Sequence, residues 1–288
     1  MLFCQTALPE NDKRLNFIKP LLFMLKWIAQ NKYKLMAFII GLYLVVDVLQ
    51  HKGQARVLFP KEFPGSQYQV LPFQSMSDLT SGGKNWIKGV NTKEQLNRLD
   101  RDVAGFECDV YFDTTSKSFN VHHDEDKSIG YSLNELFQIY QQRNLQAGIW
   151  LDIKNLDQSN DTQALQNLLS LRDKYKLQNK ILVESSHGEV LTSFCDSGFF
   201  TSYYVPFFNP YKISNDKLKV LADSIASVIS KAKVNALSGY YFQCSFLNHY
   251  FPKYPVLTWI DNTPFSLVNR IFQNKIAANK SIFIVLKP

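Results

Sequence analysis

The sequence predicts a closed (β/α)8 barrel preceded by an N-terminal transmembrane anchor, on three observations. From about residue 84 onward, some eight short apolar strands alternate with helical stretches, the pattern of a parallel sheet. An eight-fold barrel closes that sheet most economically. The open doubly wound alternative often carries a glycine-rich phosphate loop, and the sequence has none. Ahead of the strands lies the most apolar run of the chain, Leu35 to Gln50, behind a basic segment.

The anchor comes first. Lys13, Arg14, Lys19, Lys26, Lys32 and Lys34 precede LMAFIIGLYLVVDVLQ. That run falls short of the ~20 residues a spanning helix wants, so the expected span reaches back to about Tyr33, with Asp47 at the headgroup boundary. A signal peptide would want a small-residue cleavage site, which does not follow; a buried core helix is the other alternative. The Lys/Arg excess places the N-terminus in the cytoplasm and the barrel outside, in the periplasm if the membrane is a Gram-negative inner membrane. The expected division is 1–57 for the basic segment and anchor and 58–288 for the barrel.

Val57 to Gly83, rich in Pro, Gly, Ser and Phe, reads as a linker and entry loop. A strand is expected over Trp86 to Val90 and a helix over Thr92 to Leu99, capped by Thr92. In Gly105 to Val110, Phe106, Cys108 and Val110 alternate with Glu107 and Asp109, the period of a strand with one apolar and one polar face. A polar turn and a second small strand return His122, His123 and Asp124 towards it. Ser132 and Glu135 form a capping box for a helix to Asn144. Strands follow at Gly148 to Asn155, Ile181 to Glu184, Thr201 to Val205, Ala236 to Tyr241, Val256 to Trp259 and Ile282 to Leu286. Helices are expected over Thr162 to Tyr175, Ser214 to Lys231 and Ser266 to Ala278.

The totals narrow the function. A chain of 288 residues that is 45% hydrophobic buries a large core, and 20% charged residues argue against disorder. The net charge of +7 suits an anionic membrane surface or a phosphate-bearing substrate. The basic residues are scattered and no nucleic-acid module is present, so no nucleic-acid partner is expected. The four cysteines lack metal-ligand spacing. Cys108 reads as packing, and whether Cys195 and Cys244 pair stays open.

The chemistry gathers on two strands. Glu107 and Asp109 share a face and can hold one divalent cation through oxygen ligands. In Gly148 to Asn155, Trp150, Asp152 and Lys154 share the parity expected to face the barrel interior and its active mouth. Asp152 becomes a third acidic ligand and Lys154 a cation for a phosphate oxygen. The structural alternative is an exposed acidic strand beside an ordinary Asp–Lys pair. His122 and His123 are consecutive, so on a strand only one points into the site. His123 is preferred because Asp124 follows it, with His122 in reserve. An imidazole, with an ordinary pKa of about 6.5, suits proton transfer to a leaving alkoxide. His187 reads as a surface or capping residue, and His51 and His249 lack acidic company. Ser185 and His187 form no nucleophile elbow.

The order GFECDV, VHHDED, WLDIKN, ILVESS, VLTWIDN, IVLKP resembles the glycerophosphodiester phosphodiesterase superfamily, the TIM barrels related to phosphatidylinositol phospholipase C. The motifs that match are Glu107 and Asp109, His123 and Asp124, Asp152 and Lys154, Trp259 and Asn262, and the closing Pro288, spread over most of 84–288. The Asp-x-Lys version is similar to the sphingomyelinase D branch, and WIKGVNTKEQL is similar to the menorin-like branch. The resemblance implies Mg²⁺ or Ca²⁺ on Glu107, Asp109 and Asp152, with Trp259, Asn262 and Lys154 binding substrate. One departure is plain. The superfamily's first histidine is absent, no histidine lies between His51 and His122, and Lys88 falls about where it would be, ahead of Asn91 and Thr92.

The sequence therefore points to a membrane-anchored, metal-dependent phosphodiesterase acting on a glycerophosphodiester or a lipid head-group phosphodiester. His123, His122, Lys88 and Lys154 are its candidate catalytic residues. The alternative is a catalytically reduced barrel that binds a polyol phosphate or surface polymer, or scaffolds an envelope assembly.

Overall fold

The computed structural model describes residues 12–59, 61–261 and 263–288, and the chain divides after Lys52. The first unit holds α1 (Asp12–Gln50), a single helix of 39 residues. Its stretch Gln30–Gln50, 21 residues with mean hydropathy 1.6, is long and apolar enough to cross a membrane. The helix extends further back than the apolar run alone suggests, to Asp12, and Gln30, Lys32 and Lys34 favour helix despite their polarity. His51 does have acidic company: its Nδ1 lies 3.0 Å from Asp47 Oδ1, one helical turn earlier.

The second unit, Gly53–Pro288, begins within α2 (Lys52–Leu58), so the division falls ahead of the expected 57/58 boundary. Val57 is buried in the barrel's outer core, and Lys275 Nζ donates to the Val57 and Leu58 carbonyls at 2.9 Å each. The strands are β1 (Asn85–Ile87), β2 (Gly105–Asp113), β3 (Ser118–Val121), β4 (Gly148–Ile153), β5 (Ile181–Ser185), β6 (Phe200–Tyr204), β7 (Ala236–Tyr240), β8 (Val256–Trp259) and β9 (Ile282–Lys287). Among the described residues, all but β3 pair in parallel, and β1 bonds both β9 and β2, closing an eight-stranded barrel. β3 is the antiparallel arm of a hairpin on β2.

Helices α3 (Lys93–Arg98), α4 (Leu133–Gln142), α5 (Asp161–Tyr175), α6 (Leu191–Asp196), α7 (Asn215–Lys231), α8 (Cys244–Tyr250) and α9 (Leu267–Ala278) follow successive strands, with one 3-10 turn at Gly188–Val190. Local chemistry sets their starts. Thr92 Oγ1 accepts from Gln95 N at the head of α3, and Ser132 with Glu135 forms a complete capping box at the head of α4.

Alternation sorts each strand between two cores. Phe106, Cys108 and Val110 of β2 and Ile149, Leu151 and Ile153 of β4 face the helices. Trp86, Trp150, Leu182, Phe200, Ala236, Leu257, Ile284 and Leu286 fill the barrel interior. The glycines at the starts of β2 and β4 make room for Trp86: a Cβ on Gly105 would lie 2.2 Å, and one on Gly148 2.5 Å, from its indole. Met76 and Leu79 join this interior core, so the stretch that reads as a linker also supplies packing residues. Cys195 and Cys244 do not pair; both are free and buried, Cys195 beside Asn235 and Cys244 beside the Tyr240 carbonyl.

Candidate active site

Parallel register places the acids level with one another. Asp109 of β2 is paired with Asp152 of β4, and Asp152 with Glu184 of β5. Glu107 lies two residues earlier on β2, on the same interior face. Ligand oxygens of Glu107, Asp109 and Asp152 lie within 4.8 Å of one another. They line a cavity of about 150 Å³ with Lys88, His123, Trp150, Lys154, Glu184, Tyr204, Tyr240, Trp259 and Leu286.

The loop after β1 orients two of these acids. Gly89, at φ +72°, takes a backbone turn that glycine adopts without strain, and its N–H donates to Glu107 Oε2 at 2.7 Å. Asn91 grips Asp109 twice: its Nδ2 donates to Oδ2 at 2.6 Å, and its Oδ1 accepts from the Asp109 N–H at 2.9 Å. Lys154 is ion-paired with Asp109 Oδ1 at 2.6 Å and with Asp152. Asn155 donates to and accepts from the Phe112 backbone, at 2.8 Å each way, which ties the end of β4 to β2.

Burial sets the electrostatics. Desolvation, helped by repulsion from Asp109 and Asp152, pushes the Glu107 carboxyl up to about 8, against the opposing Gly89 N–H and Lys154. Desolvation also raises Asp152, although Lys154 opposes it. Lys154 is itself partly desolvated, yet Asp152 and Asp109 hold its ammonium above the usual lysine range. Three hard oxygen donors, two of them ion-paired with Lys154, form a site that suits Mg²⁺ or Ca²⁺ better than a soft metal.

A pH dependence follows. Glu107 and Asp152 bind protons more tightly folded than unfolded, so their contribution to stability is full below the ordinary carboxylate range. It declines as pH rises, through about 8 for Glu107. Asp124 and Glu135, lowered to about 2, act oppositely but below that window. The melting temperature in chelator is expected to fall by several degrees between about pH 5 and 8.5. Mg²⁺ is expected to reduce the fall, because it binds the deprotonated trio. Thermal melts across that range, with and without chelator, check this; a rise in chelator contradicts it.

The two histidines part company. His123 lines the cavity at its rim, with a side chain 69% exposed and Nδ1 2.7 Å from Asp124 Oδ1. His122 is buried, stacked on Tyr111 at 4.5 Å between ring centroids, with Nδ1 2.8 Å from the Asp124 carbonyl, and it does not line the cavity. Both stand in the loop after β3 rather than on the strand. Lys88, which follows β1, also lines the cavity, its Nζ 5.9 Å from the Trp259 ring centroid. Trp259 packs against Tyr240 at 4.8 Å and Tyr204 at 5.5 Å, making an aromatic side to the mouth. Asn262 lies outside the described residues. Asp124 meets Lys127 at 2.6 Å at the loop's outer edge.

Glu184, Tyr204 and Tyr240 were not singled out from the sequence, although each has a findable signal. Glu184 shares parity with Leu182, Tyr204 with Phe200, and Tyr240 with Ala236, all interior residues.

A scan of the sequence against protein-family models finds no match, and a search of curated proteins finds none either. Solved structures do match. A protein of Silicibacter pomeroyi named as a glycerophosphoryl diester phosphodiesterase superposes with a TM-score of 0.52 at 11% identity, over 82% of this chain and 93% of its own. An Oleispira antarctica phosphodiesterase, solved with its product sn-glycerol-3-phosphate, superposes with a TM-score of 0.50 at 14% identity, over 74% and 95%. This chain shares their fold. At such identities the likeness is one of architecture, and the chemistry rests on the residues at the mouth.

Proposed function

We propose that this chain is a metal-dependent phosphodiesterase acting on a glycerophosphodiester or a lipid head-group phosphodiester. The observation that carries the reading is the convergence of Glu107, Asp109 and Asp152, bridged by Lys154, in the cavity of a closed parallel barrel. Mg²⁺ or Ca²⁺ held by these carboxylates would supply Lewis-acid polarisation of a phosphoryl oxygen. Lys154 and Lys88, both in the cavity lining, bind the remaining phosphate oxygens and favour the charge that builds as the ester breaks. Trp259, with Tyr204 and Tyr240, walls off water beside them. His123, oriented through Nδ1 by Asp124, gives the proton of Nε2 to the departing alcohol oxygen. The nucleophile is a neighbouring hydroxyl of the substrate, which releases its proton to solvent water and forms a cyclic phosphate as the ester bond breaks; superfamily resemblance supports this step. Gln30–Gln50 supports a single-pass anchor, and the basic segment before it supports a cytoplasmic N-terminus with the barrel outside, in the periplasm if the membrane is Gram-negative.

A second reading is favoured by one observation: Lys88 occupies the wall where the superfamily resemblance implies a histidine. A barrel with that change binds a polyol phosphate or surface polymer without turning it over.

Turnover separates the two, and its leaving-group dependence tests the role of His123. The full-length chain, assayed with Mg²⁺ or Ca²⁺ on glycerophosphodiesters and lysophospholipids, is expected to turn over, and His123→Ala to lose ~10²-fold or more. A p-nitrophenyl diester of glycerol phosphate, which keeps the neighbouring hydroxyl while its leaving group needs no proton, is expected to lose far less. Equal losses on both substrates would remove His123 from the acid role. No turnover on any substrate, with phosphate esters still bound, would favour the second reading.

A further inference from the structure

The chain enters the barrel at one particular end. The apolar stretch closes at Gln50 and the second unit opens at Gly53, so at most ~10 Å of chain separates the two. Gly53 lies against Tyr241, the first residue after β7: a Cβ built on Gly53 would stand 2.7 Å from the Tyr241 hydroxyl oxygen. Farther along, the Arg56 guanidinium lies 5.9 Å from the Tyr211 ring centroid. Lys61 Nζ lies 5.9 Å from the same centroid and donates to the Pro210 carbonyl. Pro210 and Tyr211 belong to the connection from β6 to α7. In a parallel barrel, connections that leave the C-terminal ends of the strands lie at the mouth. The tether therefore joins the barrel beside its mouth, on the β6 and β7 side. The opposite end is where the Phe73 N–H bonds the Val234 carbonyl ahead of β7.

That side of the mouth is both aromatic and basic. Phe207, on the connection after β6, is 67% exposed, and Phe59 at the end of α2 and Leu267 at the start of α9 are exposed as well. Phe207 packs edge-on against Tyr240 at 4.9 Å, and Tyr240 against Trp259 at 4.8 Å. An aromatic track thus runs from the cavity lining to the outside. Over 52–62 and the connections after β6, β7 and β8, the charges are Lys52, Arg56, Lys61 and Lys212 against Glu62 and Asp261. Arg56 and Lys61 line an open cavity of about 620 Å³ with Phe59, Glu62 and Tyr211, wide enough for a lipid head group. β2 lies four strands from β7 in either direction around the barrel, and the His123 loop beyond its hairpin carries Asp124, Glu125 and Asp126. Single exposed apolar residues need no explanation. Here they sit among cations at the end where the chain leaves the span, the composition of a surface that meets anionic head groups and the acyl boundary.

We propose that the barrel docks the β6 to β8 side of its mouth on the anionic phospholipid bilayer that its own anchor enters, and takes its diester from that leaflet. The inference rests on Gln30–Gln50 as a span and, for the substrate, on the phosphodiesterase reading. Of the two substrate classes named there, it selects the membrane lipid. The head group passes along the Phe207, Tyr240 and Trp259 track while the acyl chains stay in the bilayer, and the acidic His123 loop stands away from the surface.

Site-directed fluorescence quenching tests the docking without recourse to activity. Phe207→Cys, Glu125→Cys and Phe73→Cys, each in a Cys4→Ser background, carry a fluorophore at one position, since Cys108, Cys195 and Cys244 are buried. The full-length chain is placed in nanodiscs of phosphatidylcholine and phosphatidylglycerol with a nitroxide quencher in the acyl region. The label at position 207 is expected to lose more than half of its emission, and those at 125 and 73 to keep nearly all of theirs. Quenching no greater at 207 than at 125 or 73 overturns the docking, as does a chain that does not enter the discs. Turnover then tests the substrate. Phe207→Asp combined with Arg56→Glu is expected to lose at least tenfold on a phospholipid of the same disc and to keep its rate on a soluble glycerophosphodiester. Equal losses on both, no loss on either, or a parent active on the soluble diester alone overturns the choice of the lipid. If the parent turns over neither, the phosphodiesterase reading falls, while the quenching still decides the docking.

Discussion

Asp109→Asn is expected to abolish phosphodiester turnover, by ~10³-fold or more, and to weaken Mg²⁺ binding by at least ~10²-fold. The reason lies in its surroundings. Asp109 is 3% exposed, and both of its oxygens face donors: Oδ1 meets Lys154 Nζ at 2.6 Å and Oδ2 meets Asn91 Nδ2 at 2.6 Å. An asparagine keeps the shape but removes the charge, and it must turn its own NH₂ towards one of those donors. The Asn91 grip on the Asp109 backbone N–H is expected to survive, so the fold should persist while the ligand is lost. Turnover, Mg²⁺ calorimetry and a thermal melt on the same preparation check this. Turnover within tenfold of the parent would show that Asp109 does not hold the metal.

Lys154→Met has the second largest effect, with opposite signs for the metal-free and metal-bound protein. Among the described residues, Lys154 is the cation ion-paired with Asp109 and Asp152, and both it and the acids are largely sheltered. Removing one partner of a buried charge group leaves the others uncompensated, at a cost of ~3–5 kcal/mol. In chelator near pH 8, the melting temperature is expected to drop by roughly 10 °C. Mg²⁺ is expected to recover most of that loss, because it supplies the missing positive charge to the same oxygens. Affinity for sn-glycerol 3-phosphate is nevertheless expected to fall, since the ammonium proposed to meet the phosphate is gone. Unchanged stability in chelator, or recovery no greater than the parent's gain with Mg²⁺, would contradict the charge balance described above.

These two residues were within reach of sequence reasoning because polarity alternates visibly around them. GFECDV places Glu107 and Asp109 on one face with Cys108 on the other, and WLDIK repeats the device with Asp152. Glu184 was not within reach by the same route. Its strand, ILVES, is buried on both faces, as barrel strands are, so Ile181, Leu182 and Val183 mask the alternation and the acid reads as a strand end. The residues between Lys61 and Lys84 misled in the other direction. Their Pro, Gly and Ser content reads as a loop, yet Met76 and Leu79 pack inside the barrel and Phe63 packs edge-on or tilted against Phe246, Tyr250 and His249. Composition reports backbone conformation there but is silent on where single apolar side chains go. The division between His122 and His123 depends on a loop. Only the fold shows His122 taken up by Tyr111 and His123 left at the cavity rim.

The most direct test follows a glycerophosphodiester by phosphorus NMR with the full-length chain, first in chelator and then with Mg²⁺ or Ca²⁺ added. The diester is expected to stay unchanged in chelator, then to convert to a cyclic phosphate or a phosphomonoester once the cation is present, and not to be converted by Asp109→Asn under either condition. Equal conversion in chelator would contradict a metal-dependent mechanism. An unchanged diester with the cation bound would contradict catalysis itself.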